Sequence, residues 1–504
     1  MTAPRVDPEP VDDRSLAVRS DVRLRPDMSR VITRLFVAGQ EVVGGSESRA
    51  SGVVDRILAL DEVDVKLRLD DLMERFGHRH RDLTATFEEN AARIGNRLES
   101  GSELSRERWL LLGATFTHEY SVESASLCNP SMVAHPDQTG VPVGGLRFVM
   151  SVRGIGEGHR SSIGFRSGTV AADGVVSLDD TEPFLTVGSC QPGVYRRDVF
   201  HARLGAVGRD GESASFVLDA FGETFTAAEL EVGLALLEAQ RDTRSNAHGT
   251  ATRLRAIAAC NYDVVFPSGS RLSERVLWPA SAAEANGMED ARFVRFVDDD
   301  DRVTYYATYT AFDGVDISQQ LLETNDFVTF SASPLVGPAA TNKGLAIFPR
   351  RVGGQFAALS RFDRESNAVA FSSSVGQWED ATTVQSPVRD WEVVQLGNCG
   401  PPIETERGWL VLTHGVGPMR TYSIGALLLD LHDPRKVIAT LAEPLLTPEA
   451  DEQDGYVPNV VYSCGALVHN GILVIPYGVA DMSIGFAQVE VSRLLDAMTL
   501  GPTD

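Results

Sequence analysis

No apolar run in this 504-residue chain approaches the length of a membrane span. Its opening residues, MTAPRVDPEPVDDRSLAVRSD, lack the apolar centre of a signal peptide. Cysteine is scarce: Cys128, Cys190, Cys260, Cys399 and Cys464 are scattered, odd in number and never spaced as Cys-x-x-Cys. That pattern suggests neither a disulfide framework nor a zinc site. Positive charge is also short, with 46 Lys and Arg against 70 Asp and Glu and a formal charge of −24. Such a surface repels nucleic acid and anionic membrane, although it leaves room for a local basic pocket. No Gly-x-Gly-x-x-Gly heads a helix, so no dinucleotide fingerprint is present. No short solenoid repeat is visible either, which disfavours a β-helix. The expectation is a cytoplasmic, soluble protein with no metal and no cofactor.

Apolar residues make up 43% of the chain and charged residues 23%, as in folded proteins. The length implies two domains, or one large β architecture with an accessory part. Residues 1 to about 28 are rich in Pro and Asp and are expected to be loose. From about 46 to 113 the period is helical: Leu83, Phe87, Ala91, Ile94 and Leu98 share one face. Ser102 is a candidate cap for the helix that follows. After about residue 114 the texture becomes short strand-like runs joined by turn pairs such as Asp173-Gly174, Gly353-Gly354 and Asn470-Gly471. Thr226 opens a helical insertion (about 226–258) with a Thr-x-x-Glu box and Leu230, Leu234 and Leu237 on one face. The expected division is therefore 1–113, α-helical, and 114–504, all-β. A β-propeller accommodates so many hairpins, with β-helix and paired sandwiches as the alternatives. In a propeller, site residues come from distant segments near strand ends.

Several segments carry candidate chemistry. In Glu289-Asp290-Ala291-Arg292, two carboxylates precede an apolar strand. Either a desolvated general acid or a turn acid paired with Arg292 fits that position. The loop RGIGEGHRSSIGFRSG sets Arg153, Glu157 and His159 among glycines, which suits polyol hydroxyls or a plain charged hairpin. Asn342 and Lys343 precede one strand and Arg361 ends its hairpin partner, an amide and two cations suited to an oxyanion. Arg350, Arg351 and Arg364 read as solvated surface. Glu404 follows a Gly-Pro-Pro turn, His414 ends the strand GWLVLT, and Asp481 follows ILVIPYGVA. His78 and His80 do not share a helix face, so a metal reading of them is poor.

The segments NPSMVAHPD, GMEDARF, IFPRRVGGQFAALSR, GNCGPPIETERGWLVLTHGVG, YSIGALLLDLHDPRKVI and GYVPNVVYSCGALVHNGILVIPYGVAD together resemble glycoside hydrolase family 130, from about 115 to 495 and in order. The helical N-terminus and longer chain look like the members acting on β-1,2-linked oligomannans. The resemblance implies a five-bladed β-propeller and inverting phosphorolysis of β-mannosides, releasing α-mannose 1-phosphate, although some members hydrolyse. It implies Asp290 as proton donor, acting through a hydroxyl of the bound mannose. It also implies Arg361 and His414 as phosphate ligands, with Asn342 and Lys343 in a segment that supplies another, and Arg153 and Asp481 as holders of the −1 mannose. Asn129, Glu157, His159 and Glu404 complete the expected substrate contacts. Inorganic phosphate is the co-substrate.

Two positions depart from the family pattern. Ala291 stands where proline is commoner, and Gln395 replaces a lysine phosphate ligand. An inverting hydrolase needs an acid and a base, whereas a phosphorylase needs one acid and a cationic anion site. Arg361, His414 and Lys343 have cationic character, with no carboxylate among them, which favours a phosphorylase over a β-mannosidase. An inactive sugar-binding propeller is the third reading. The N-terminal helices cap the active face, extend the sugar cleft or mediate self-association into an oligomer; the sequence does not choose among these.

Overall fold

The computed structural model describes residues 15–37, 49–98, 103–206, 211–244 and 246–499. Strand is the commonest regular structure, nearly all of it antiparallel, and its main part is arranged as five strand groups. The first holds Ser126–Ala134, Leu146–Ile155 and Ser161–Val170; the second holds Gly287–Val297, Val303–Phe312, Ile317–Thr324 and Thr329–Pro334. One parallel pairing, Gly287 with Ser161, joins these two. The third runs from Ala346–Ile347 through Phe356–Ser360 to Ala381–Gln385. The fourth is built on Gly408–Val416 and Tyr422–Leu429, and the fifth on Ile472–Val479 and Ser483–Glu490.

The central strands are buried on both faces because each group packs against two others. Gly408–Val416 is buried at every position. Val149 and Phe165 of the first group meet Phe293 and Tyr305 of the second. Phe296 and Leu321 of the second meet Phe356 and Ala358 of the third. Leu359 and Val369 then pack on Trp409 and Val411, and Leu410 and Leu412 on Leu473 and Ile475. Val474 and Phe486 of the fifth group return to Leu127 and Met150 of the first.

The N-terminal region is not wholly helical. Residues 15–28 fall in the stretch expected to be loose, yet Ala17–Leu24 pairs antiparallel with Ser483–Glu490, so the two ends of the chain share one sheet. Side-chain pairing explains the order: Arg19 and Arg23 reach the buried carboxylate of Glu452 at 3.0 and 2.7 Å, and Tyr477 donates to it at 2.7 Å. Residues 1–14 and Ser102 lie outside the described residues. The helix Arg106–Thr115 is capped by Ser105. Leu83, Phe87, Ala91 and Ile94 line the buried face of Leu83–Ile94, as their spacing predicts. The capping box of Thr226 and Glu229 opens Ala227–Ala239. The insertion starts earlier than its leucine pattern signals, because Arg197–Ala206 and Gly211–Leu218 precede it and share its core around Phe200, Leu218 and Leu234. Among the described residues, no helix is long and apolar enough to cross a membrane.

Burial by itself would raise the Glu452 carboxyl, but Arg19, Arg23 and Tyr477 hold it below the ordinary glutamate value. Replacing both arginines by Met strands that carboxylate in the core. The expected cost is about 3–5 kcal/mol near neutral pH, read from denaturant midpoints. A lowered folded pKa stabilises above the ordinary glutamate range, and that stability is lost as pH falls through the lowered value. The gap between wild type and variant therefore narrows in acid.

Candidate active site

The strand Gly287–Val297 is irregular at the expected acid. Glu289 pairs with Thr310 and Arg292 with Thr308, so Asp290 and Ala291 together oppose Tyr309. This bulge puts Asp290 at φ 56°, a left-handed conformation costing roughly 1–2 kcal/mol in a non-glycine residue. Arg292, fully buried, steadies it: its Nη1 donates to the Asp290 carbonyl at 2.9 Å. Arg292 is thus bound to the backbone of the acid and not to its carboxylate. A matching bulge between Cys128 and Ser131 sets Asn129 at φ 48°, and the turn after Ile472–Val479 sets Asp481 at φ 48°. Strained backbone of this kind collects at functional sites.

These three residues surround Arg153. Its Nη2 donates to Glu289 at 2.6 Å, and its Nη1 lies 3.5 Å from Asp290 Oδ1. Lys343 Nζ takes the other oxygen of Glu289 at 2.7 Å. Asp290 Oδ1 is buried and accepts no hydrogen bond. Burial would raise its carboxyl, but Arg153, Lys343, Arg292 and Arg361 together hold it below the ordinary aspartate value. Asp481 behaves oppositely. Burial pushes its carboxyl up to about 6; Arg153 opposes the shift and the charge of Asp290 adds to it.

Beside this cluster stands Arg361, set against His414. Arg361 Nη1 is 3.4 Å from His414 Nε2. His414 Nδ1 contacts the Asn398 carbonyl at 3.2 Å, so Nδ1 carries the proton, because a carbonyl only accepts. Burial, with Arg361 and Arg292 adding to it, keeps the imidazole neutral. Gly397 makes the approach possible: a Cβ there would stand 2.5 Å from His414 Cε1 and 2.6 Å from Arg361 Cδ. Tyr462 packs on His414 with ring centroids 4.9 Å apart and accepts from Arg292 Nη2 at 2.6 Å. Among the described residues, no carboxylate forms an ion pair with Arg361.

The expected site residues therefore separate by place. Asn129, Arg153, Asp290 and Asp481 come together, with Arg361 and His414 next to them. Lys343, expected to serve the anion site, is ion-paired with Glu289 from another strand group. Asn342 braces the Arg361 loop: its side chain donates to Phe362 O at 2.6 Å and accepts from Arg364 at 2.8 Å, which leaves one N–H of its amide. Glu404 is misplaced as a substrate contact. It pairs with Arg350 at 2.6 Å and lies opposite Trp409, about 16 Å along the strand from His414. Glu157 and His159 form an exposed turn beyond Arg153, where His159 Nδ1 meets Tyr456 at 2.5 Å. The sequence reading missed Tyr462, Asn398 and Gly397 as contributors, since an aromatic in an apolar run and a glycine in a turn-rich segment read as core and loop. Among the described residues, no His, Cys, Asp and Glu cluster could hold a metal ion.

The profile of glycoside hydrolase family 130, described as beta-1,4-mannooligosaccharide phosphorylase, matches residues 268–500. A 1,2-beta-oligomannan phosphorylase of Thermoanaerobacter sp. (strain X514) is 35% identical over 230 residues, which is 44% of this chain and 75% of the relative. A beta-1,2-mannobiose phosphorylase of the same organism is 35% identical over 228 residues, 44% and 74% of the two chains. Among solved structures, beta-1,2-mannobiose phosphorylase from Listeria innocua, in complex with beta-1,2-mannobiose, aligns at 21% identity over 75% of this chain and 93% of that one, with a TM-score of 0.43.

The Arg361 pocket is expected to bind a free oxyanion. Inorganic phosphate at about 100 times its dissociation constant should stabilise the protein by ~2.7 kcal/mol, seen as a rise in Tm. Arg361→Ala should remove that rise, and Arg350→Ala, in its surface pair with Glu404, should keep it.

Proposed function

The chain belongs to glycoside hydrolase family 130, and from that premise we propose that it catalyses inverting phosphorolysis of β-1,2-linked manno-oligosaccharides, giving α-mannose 1-phosphate and a shortened chain. The observation that carries this reading is half-buried Arg361 against buried His414, with no carboxylate ion-paired to that arginine among the described residues, beside an acid on a strained bulge. The linkage is drawn from the two relatives named for β-1,2-mannosides. A five-bladed propeller is part of the reading, supported by five strand groups that pack in succession, the last on the first.

In this mechanism Asp290 is the proton donor and Arg153 and Asp481 hold the terminal mannose. Asn129, on the bulge next to the Arg153 strand, is a further substrate contact in this reading, and inorganic phosphate, the co-substrate, binds Arg361. His414 serves first as a support: while neutral it accepts from Arg361 and fixes the guanidinium. An anion there would offset the cations that depress Asp290, so phosphate binding itself raises the acid towards its working pKa. Gln395 shares a strand face with Gly397, two residues apart, and so borders the pocket with a neutral amide. Hydrolysis is the second reading, favoured by Asp481, a half-buried residue whose carboxyl is raised to about 6 beside the acid.

One assay separates these readings. Incubation with β-1,2-mannobiose or longer oligomers should release mannose 1-phosphate only with phosphate present. Free mannose released regardless of phosphate would establish the hydrolase instead, and inertness towards all β-mannosides would leave a binding protein. Asp290→Asn should lower kcat by roughly 10²–10⁴ while keeping the folded Tm; wild-type rates would remove Asp290 from the mechanism.

The pH profile carries a sign. A general acid is lost as pH rises through its pKa, so the basic limb of the rate should move to higher pH as phosphate goes from trace to saturating. A basic limb that stays put would show that phosphate and Asp290 are not coupled.

A further inference from the structure

The helical insertion grows from the active end of the second strand group. It connects Ser189–Pro192 to Tyr262–Val265, and Pro192, Tyr262 and Ala332 lie side by side in register. The chain leaves Pro192 and re-enters at Tyr262 on the side towards Leu335, whose N–H bonds Gln319 O. Gln319 is level with Thr310, and Thr310 with Glu289. Gln319 and the strand leading to Leu335 thus stand two and three strand spacings from Glu289, and the insertion rises from the fourth and fifth, on the same rim.

A cleft of about 1670 Å³ separates the insertion from that rim. Arg196, His201 and Gly205 line one wall and Gln319, Asn342 and Gln377 the other. Asn342 adjoins Lys343, the partner of Glu289, so the cleft opens next to the acid cluster. Its volume exceeds the roughly 300–1,000 Å³ of an ordinary small-ligand site. Its charges nearly cancel: Arg196, Arg197 and Arg203 stand against Asp198, Asp219, Glu223 and Glu379. Such a lining does not concentrate an anion, so it is no funnel for phosphate. Closely spaced donors and acceptors suit a neutral, hydroxyl-rich ligand.

Resting on the phosphorylase reading, we propose that this cleft takes the sugar units beyond the cleaved linkage, and that the insertion makes the enzyme prefer longer manno-oligosaccharides to the disaccharide. The insertion lies N-terminal to the segment matched by the family profile, so length selection is a property added to the shared site.

Gly205 offers a clean test. It lies in the helix Arg197–Ala206 and lines the cleft, and a Cβ there would meet nothing within 4 Å. Gly205→Trp should fill the cleft. The expected result is a fall of about tenfold or more in kcat/KM for the mannotetraose, with β-1,2-mannobiose within about twofold of wild type. Arg196→Ala should shift the same ratio by about two- to tenfold, the scale of one lost hydrogen bond. Preserved disaccharide turnover reports an intact fold. An unchanged length ratio in both variants, with an active wild type, overturns the cleft proposal alone. A wild type inert to every β-mannoside in the presence of phosphate removes the phosphorylase reading and the proposal with it.

Discussion

The site turns on a buried carboxylate that is surrounded by cations and hydrogen-bonded to none of them. Asp290 Oδ1 lies 3.5 Å from Arg153, too far for a hydrogen bond, and the backbone beneath it is held left-handed by Arg292. Two separate costs are sustained at one residue, desolvation and strain, and each has an identifiable support. The field of four cations offsets the desolvation. A guanidinium bound to the carbonyl offsets the strain, and it does so without neutralising the acid. Had Arg292 bonded the carboxylate directly, the oxygen that must meet the substrate would be occupied.

The sheet architecture explains how residues so far apart in sequence converge. Asn129 and Arg153 come from the first strand group, Asp290 from the second, Arg361 from the third, His414 from the fourth and Asp481 from the fifth. Asn129 and Asp290 stand on bulges within their strands and the others near a strand end, where a bulge or turn can aim a side chain without breaking a full ladder. Their mutual placement then depends on the packing between groups, which in turn depends on the fifth group being completed by Ala17–Leu24. The Glu452 ion cluster is remote from the chemistry in sequence, yet it secures the sheet that carries Asp481.

Much of this was legible in the sequence where the signal was local. The four-residue repeat from Leu83 to Ile94 and the box at Thr226 produce the helices they announce. The acid was less legible. Residue type alone favoured a turn salt bridge at Asp290, and the family resemblance pointed to the acid. What escaped were pairings across long separations. Arg292 meets Tyr462 and Lys343 meets Glu289 because strand groups pack, and no periodicity encodes that. Glu404 was misread for the converse reason: its Gly-Pro-Pro turn looked like a rim, but its strand register sets it beside Trp409 and Arg350. Asn342 carries a structural duty that its sequence position did not signal, since its amide braces the loop of Arg361.

The balance between phosphorolysis and hydrolysis follows from how charge is distributed, not from how many carboxylates are present. Three lie close together, Glu289, Asp290 and Asp481, so a count alone would suggest an acid and a base. Glu289 is committed to Arg153 and Lys343, which leaves it no freedom to take a proton from water. Asp481 keeps an elevated carboxyl, but it stands against Arg153 on the side of the acid, and among the described residues no carboxylate forms an ion pair with Arg361. The uncompensated guanidinium marks where an incoming nucleophile would be stabilised, and a dianion gains far more there than water does. A water molecule in the same place would still need a base, and its nearest neighbours are a guanidinium and a histidine whose free nitrogen already accepts from it. The arrangement supplies binding energy to a nucleophile that arrives charged.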